Sequence, residues 1–254
     1  TMVRQMEFES MRINFGSLIL VLLMLSSTAW ASEQSAEFLS TFDTGKVLDV
    51  SQIDAEPVSL TEYFDVLEDP STELTFDDVR RPDVANRFKS GQTPAAALSY
   101  GPTRSAIWLR WRVSNSTGHS LKRFLEVAFA RLSDVQFYQP NSTGTYQTLS
   151  TGASKRFATR AYKNRNFVFP LIFAARSEQV VYVRVQSETP LTIPAQLWEP
   201  RAFHAYERDD YMVQSWYFGI ATALLLFNLL LSIGLRDPIY LLYVGFGVST
   251  MFFI

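Results

Sequence analysis

The chain has 254 residues, enough for one large domain or two small ones built around a sizeable core. It contains no cysteine, which excludes disulfides, thiolate metal sites and cysteine nucleophiles. Its net charge of −2 conceals a strong internal asymmetry, and its 47% apolar content is ordinary except that the apolar residues gather at the two ends.

From Met11 the sequence reads MRINFGSLILVLLMLSSTAWASEQ, with Arg12 early, an apolar run over residues 15–25, and Ala29-Trp30-Ala31 after it. A charged start, a short apolar middle and small residues at a cleavage point are the marks of a secretory signal peptide, cut here after Ala31. An uncleaved anchor is the alternative, although the run is short for a membrane span. Glu7 and Glu9 do not suit a signal start, so residues 1–10 read as upstream sequence and Met11 as the initiator. Residues 32–57 lack strong periodicity and read as a leader segment.

The exported stretch from 58 to 199 is dominated by period-two patterns. In AIWLRWRVSN, Ile107, Leu109, Trp111 and Val113 alternate with Trp108, Arg110 and Arg112. FLEVAF sets Leu125, Val127 and Phe129 against Glu126 and Ala128, and DVQFY puts Val135 and Phe137 on one face. NFVFPLIF is apolar on both faces, as in a strand buried between layers, and VVYVRVQS opposes Val181, Val183 and Val185 to Tyr182, Arg184 and Gln186. LTIPAQLWEP closes the set. Turn signals at Ser116-Thr117-Gly118, Pro140-Asn141 and Thr151-Gly152 separate the runs. Short strands at this spacing predict an all-β, antiparallel sandwich or barrel rather than a βαβ fold.

Residues 200–215 read as a connector. Residues 216–235 follow without a charge, long enough for a helix across a hydrocarbon core of about 30 Å. Arg236-Asp237-Pro238 breaks the run, and 239–254 resumes it as a second, shorter apolar segment. Asn228, a polar amide in the first span, is expected to face other helices, with a position near the interface as the alternative.

Residues 33–83 carry 14 acidic and 3 basic groups, net −11, whereas residues 84–176 carry 14 basic and 2 acidic, net +12. Either the two stretches neutralise each other on folding, or the basic one attracts an anionic ligand. No catalytic constellation accompanies the charge. His119 and His204 have no partner spacing that would suggest a metal site or an acid/base pair, and no Walker loop, dinucleotide glycine pattern or nucleophile elbow occurs. LEDPSTELTFDD lacks the ligand spacing of a calcium loop and reads as a solvated acidic stretch. Asn115-Ser116-Thr117 and Asn141-Ser142-Thr143 fit the glycosylation pattern, which matters only in a eukaryotic secretory pathway. No cofactor and no nucleic-acid partner is expected.

VLEDPSTELTFDDV, SAIWLRWRVSN, FLEVAFARLSDVQFY, NRNFVFPL and VYVRVQSETPLTIPAQLW follow one another in an order that resembles the type-two extracellular sensor domain of bacterial seven-transmembrane receptors with diverse intracellular signalling modules. LLLFNLLLSIGLRDPIYLLY is similar to the first span of that family and the start of its second, so the resemblance runs from residue 58 to the end. It implies a jelly-roll-like sandwich outside the bacterial inner membrane, in the periplasm, with carbohydrate-type ligands. It further implies seven helices and a cytoplasmic output, commonly a diguanylate cyclase or a histidine kinase. The sequence departs from the family by stopping in the second helix. The chain itself therefore reads as the non-enzymatic sensor end of a longer receptor, or a truncated reading frame of one, compatible with a homodimer. A protein-interaction or structural module is the competing reading.

If the second row of each strand faces outward, Trp108, Arg110 and Arg184 project from the sheet, and Arg160 lies with Arg156 and Arg165 in SKRFATRAYKNR. Aromatic faces suit sugar rings and arginine forks suit carboxylates. The expectation is that Trp108, Arg110, Arg160 and Arg184 line one concave site for an acidic saccharide or similar anion. The alternative is that these arginines pair with the acidic third or pack beside sheet aromatics.

Overall fold

The computed structural model describes residues 45–141 and 144–253. The signal peptide and cleavage point expected over 1–31, and the leader as far as residue 44, lie outside the described residues. The chain divides into a sheet-rich unit, reaching residue 197, and a helical unit formed by 54–57 and everything from Trp198 onward.

Twelve strands make up the first unit: β1 (Val47–Asp49), β2 (Val58–Ser59), β3 (Asp65–Asp69), β4 (Leu98–Gly101), β5 (Ala106–Asn115), β6 (Leu121–Val127), β7 (Asp134–Pro140), β8 (Tyr146–Thr151), β9 (Phe167–Phe173), β10 (Ser177–Gln186), β11 (Leu191–Ile193) and β12 (Ala195–Trp198). A six-stranded sheet runs β1-β5-β10-β7-β8, with β3 also paired to β5, and a four-stranded sheet runs β2-β12-β6-β9. The two enclose one core. Ile107, Leu109, Trp111 and Val113 of β5, with Val181, Val183 and Val185 of β10, meet Leu125 and Val127 of β6 and Phe167, Phe169, Leu171 and Phe173 of β9. Phe137 stacks on Phe169 across the layers with ring centroids 4.9 Å apart, and Phe64 meets Trp111 edge-on at 5.3 Å. Such pairs add about 0.5–1.5 kcal/mol beyond the area they bury. This is the expected jelly-roll-like β-sandwich, built on the alternating rows that the sequence displays.

Two expectations need correction. Part of the 32–57 leader belongs to the sandwich: β1 pairs in parallel with β5, Val47 opposite Arg112, and Leu48, Val50 and Ile53 are buried in the main core. Three-residue segments are too short to show a period, which is why the sequence hides them. The second correction concerns the outward row of β5 and β10. It alternates as expected, but Trp108, Arg110, Tyr182 and Arg184 do not reach solvent, because residues 70–88 fold across them. That strap carries two short helices, α1 (Phe76–Arg80) and α2 (Pro82–Ala85). Leu67, Val79, Val84, Phe88, Trp108, Tyr138, Val180 and Tyr182 form a second apolar cluster beneath it.

The acidic stretch LEDPSTELTFDD builds the strap instead of merely solvating it. The buried Asp69 carboxylate accepts from the backbone N–H groups of Ser71, Thr72 and Leu74, each at 3.1 Å. Thr75 and Asp78 form a reciprocal capping box that starts α1, and Pro82 opens α2 where its missing N–H costs nothing. Val66 and Lys89 close the far end with two backbone bonds of 2.9 Å.

In the helical unit, the connector and the first span are one helix, α3 (Pro200–Leu235), with Pro200 in its first turn and the Glu199 carboxylate accepting from Ala202 N–H at 2.9 Å. It is long and apolar enough to cross a membrane. Arg236, at φ 56°, ends it in the left-handed conformation, and α4 (Pro238–Phe253) follows.

The buried ion pair under the strap gives a stability test. Asp65 and Arg110 side chains are 10% and 9% exposed, and their 3.0 Å contact joins the acidic stretch to the basic one. Asp65→Ala, which leaves a buried guanidinium without its carboxylate, is expected to cost about 3–5 kcal/mol in denaturant unfolding. The double variant Asp65→Leu/Arg110→Met should recover most of that loss. Equal instability of the two variants would show that the pair is not the source.

Candidate functional site

The structure separates the four residues expected to share a site. Trp108 is fully buried, its ring centroid 5.8 Å from that of Tyr138. Arg110, 7% exposed, donates to Asp65 and lies 4.3 Å from the centre of the Phe88 ring. Burial also pushes the neighbouring Tyr182 phenol up to about 12, although the Arg110 and Arg80 charges pull the other way. Arg160 belongs to the β8–β9 loop. Its Nη1 donates to the backbone carbonyls of Asn164, Arg165 and Asn166, and its guanidinium covers the Phe157 and Phe167 rings. Desolvation lowers its pKa. Trp108, Arg110 and Arg160 therefore pack and clamp this structure instead of lining one open face. The period-two reading was sound, but it cannot tell an outward row that meets water from one that meets a strap.

Arg184 is buried too, but it contacts Asp134, which lines a cleft. The cleft has a volume of about 680 Å³ and is lined by Arg104, Ser133, Asp134, Ser154, Lys155, Gln186, Ser187 and Glu188. Strand register assembles it. Asp134 begins β7 opposite Gln186, which ends β10, and Val135 lies opposite Thr151, which ends β8. Three polar dipeptides, Ser133-Asp134, Ser154-Lys155 and Ser187-Glu188, thereby collect at one end of the six-stranded sheet, and Arg104 joins them from the segment before β5.

Asp134 organises the charges. One carboxylate oxygen pairs with Lys155 Nζ; the other accepts from Gln136 Nε2 at 2.6 Å and from Arg184 Nη1 at 3.4 Å. Arg184 Nη2 also donates to the Thr72 carbonyl at 3.0 Å and to Gln186 Oε1 at 3.3 Å. The Glu188 N–H donates to Ser133 Oγ at 3.0 Å, tying the β10 exit to the β7 entry. Two cations, two carboxylates, three hydroxyls and an amide can donate and accept toward a hydroxyl-rich guest, and Arg104 and Lys155 can hold an acidic group on it. The lining has no nucleophile–base pair, and no group of metal-ligating side chains occurs among the described residues.

Asn228 donates from Nδ2 to the Leu224 carbonyl one turn back, at 2.9 Å. It is half-buried, as is Leu225, whose side chain lies where a Cβ on Gly247 of α4 would fall.

Gly152 is what lets the β8 exit lie against the β7 entry. A Cβ there would sit 2.1 Å from the Ser133 carbonyl oxygen, and the neighbouring Ala153 and Ser154 N–H groups donate to Leu132 and Ser133 carbonyls at 2.8 and 3.2 Å. Gly152→Ala should destabilise the sandwich by about 2 kcal/mol or more in a denaturant titration and open the cleft wall. A change below 0.5 kcal/mol would mean that the loop yields and that the wall is not fixed by this contact.

No curated protein matches the chain. Solved structures show distant likenesses. One, from a study of the promiscuous specificity of carbohydrate-binding modules of the β-sandwich superfamily, is 12% identical over 61% of this chain, with a TM-score of 0.25, and the chain spans 62% of its length. CBM35 from Cellvibrio japonicus Abf62 is 12% identical over 57% of this chain and 88% of its own, with a TM-score of 0.24. CsCBM6-3 from Clostridium stercorarium in complex with cellobiose is 11% identical over 42% and 82%, with a TM-score of 0.19. Residues 61–199, from the turn before β3 to the residue that caps α3, match the family described as 7TMR-DISM extracellular 2. The match takes in more than half of the sequence and every strand of the sandwich except β1 and β2, and the chain belongs to this family of extracellular sensor domains.

Proposed function

We propose that the chain is the ligand-binding portion of a bacterial inner-membrane receptor, held with its sandwich in the periplasm by α3, and that the cleft at the end of the six-stranded sheet takes a small acidic saccharide. The observation that carries this reading is the charge arrangement around Asp134. A carboxylate already shared by two cations leaves Lys155 exchangeable, and Arg104 adds a second cation on the same wall. A carboxylated sugar offers what such a wall can hold: an anion for the cations, and hydroxyls for Ser133, Ser154, Ser187 and Glu188. The site binds and does not catalyse. Its occupancy passes to the membrane helices, and the output of the full receptor is a cyclase or kinase domain. A partner protein is a second reading, favoured by Phe157, which is 54% exposed beside Arg156 in the basic β8–β9 loop.

Thermal unfolding of the full chain in detergent micelles tests the first reading, with trigalacturonate as the probe and a neutral hexose trimer as the control. A ligand at one hundred times its Kd adds about 2.7 kcal/mol, a rise in Tm of roughly 5 °C or more. Trigalacturonate should produce that rise in the wild type and not in Lys155→Met or Arg104→Met; the neutral trimer should do little. No shift with either probe, together with crosslinking to one periplasmic protein through Phe157, would move the case to the second reading.

A further inference from the structure

The β3–α1 turn is strained in a way its own sequence does not explain. Thr72 sits at φ 62°, in the left-handed region that β-branched residues avoid. From inside the turn, Asp69 accepts the Thr72 N–H through its carboxylate and its carbonyl, at 3.1 and 3.3 Å. From outside, the Thr72 carbonyl accepts from Arg184, a side chain 112 positions away that also reaches the cleft through Asp134. Arg184 is 8% exposed. Its contact with Asp134 is 3.4 Å, longer than the roughly 2.8 Å of a strong charge-assisted bond. The guanidinium is thus divided among the strap carbonyl, the Gln186 amide oxygen and a carboxylate that Lys155 already holds on its other oxygen. A second route joins the same carboxylate to the strap. Asp134 accepts from Gln136, Gln136 accepts from Tyr138 at 2.7 Å, and the Tyr138 ring lies 4.3 Å from that of Phe76 in α1, stacked at an angle of 4°.

We propose that Arg184 is a latch through which occupancy of the cleft controls the strap over residues 70–88. This rests on the reading of the cleft as the ligand site. An anionic ligand draws Lys155 from Asp134, the carboxylate then attracts Arg184 fully, and the guanidinium shortens its contact with Asp134 and gives up the Thr72 carbonyl. The strained turn relaxes, and α1 and α2 loosen from the aromatic face of β5, β7 and β10. A ligand that touches only the sheet end therefore changes a surface on the outer side of the same sheet. The two states differ in which partner Arg184 serves, so the ligand has unequal affinity for them, as any switch requires.

Hydrogen exchange of the full chain in detergent micelles tests the latch without any ligand. Lys155→Met imitates loss of Lys155 from Asp134, and the strap amides of residues 73–88 should exchange at least fivefold faster than in the wild type. Adding Asp134→Asn removes the attraction for Arg184 and should return the strap to its wild-type rate. Amides of 107–113 in β5 should stay unchanged in all three proteins. No acceleration in Lys155→Met, or the same acceleration in the double variant, overturns the latch. Trigalacturonate added to the wild type should accelerate the same strap amides. Acceleration by Lys155→Met with no response to trigalacturonate supports the latch and overturns the ligand class proposed above.

Discussion

A sheet covered on both faces has no open side on which to bind, and β5 and β10 are covered on both. The inner face is closed by the four-stranded sheet, the outer one by the strap over residues 70–88. Much else in the molecule answers to this double burial. Each charge buried on the outer row needs a partner within the protein, because an uncompensated buried charge costs several kcal/mol. Arg110 accordingly has Asp65, and Arg184 has Asp134 and the Thr72 carbonyl. With the faces closed, the accessible backbone ends and polar turns lie at the sheet's end, and that is where the cleft is.

The strap also shows how the charge asymmetry is used. The acidic stretch spends Asp69 and Asp78 on capping its own backbone and Asp65 on a guanidinium of the basic stretch. The basic stretch keeps Arg104 and Lys155 on the cleft wall. Of the two consequences considered for the asymmetry, pairing occurs under the strap, between Asp65 and Arg110, and at the sheet end Arg104 and Lys155 stand beside Asp134 and Glu188.

Strands that bury a continuous row were legible. Ile107, Leu109, Trp111 and Val113 state their side of β5 without any structure, because a period of two has no other economical explanation. β8 was not, since YQTLST is largely exposed and has no apolar row to betray it. The strap was hidden for a different reason. Nineteen residues with two helices of five and four residues have no stretch long enough for a helical period, and the local signals are Pro82 and the Thr75–Asp78 pair, whose stretch read in the sequence as solvated acid. The cleft could not be read at all. Ser133-Asp134, Ser154-Lys155 and Ser187-Glu188 look like ordinary turn dipeptides, and only the pairing of Asp134 with Gln186 and of Val135 with Thr151 brings them together. Arg184 was assigned to neighbours other than those it has, because register across three strands is not written in any one of them.

The central claim is that the ligand sits at the end of the six-stranded sheet and not on its faces. A crystal structure of the chain grown with trigalacturonate tests it most directly. The account predicts sugar density in the cleft, with a carboxylate within hydrogen-bonding distance of Lys155 Nζ or the Arg104 guanidinium and hydroxyls against Ser133 and Ser187. Trigalacturonate bound instead on the aromatic face beneath the strap, or on the β8–β9 loop beside Phe157, would contradict it.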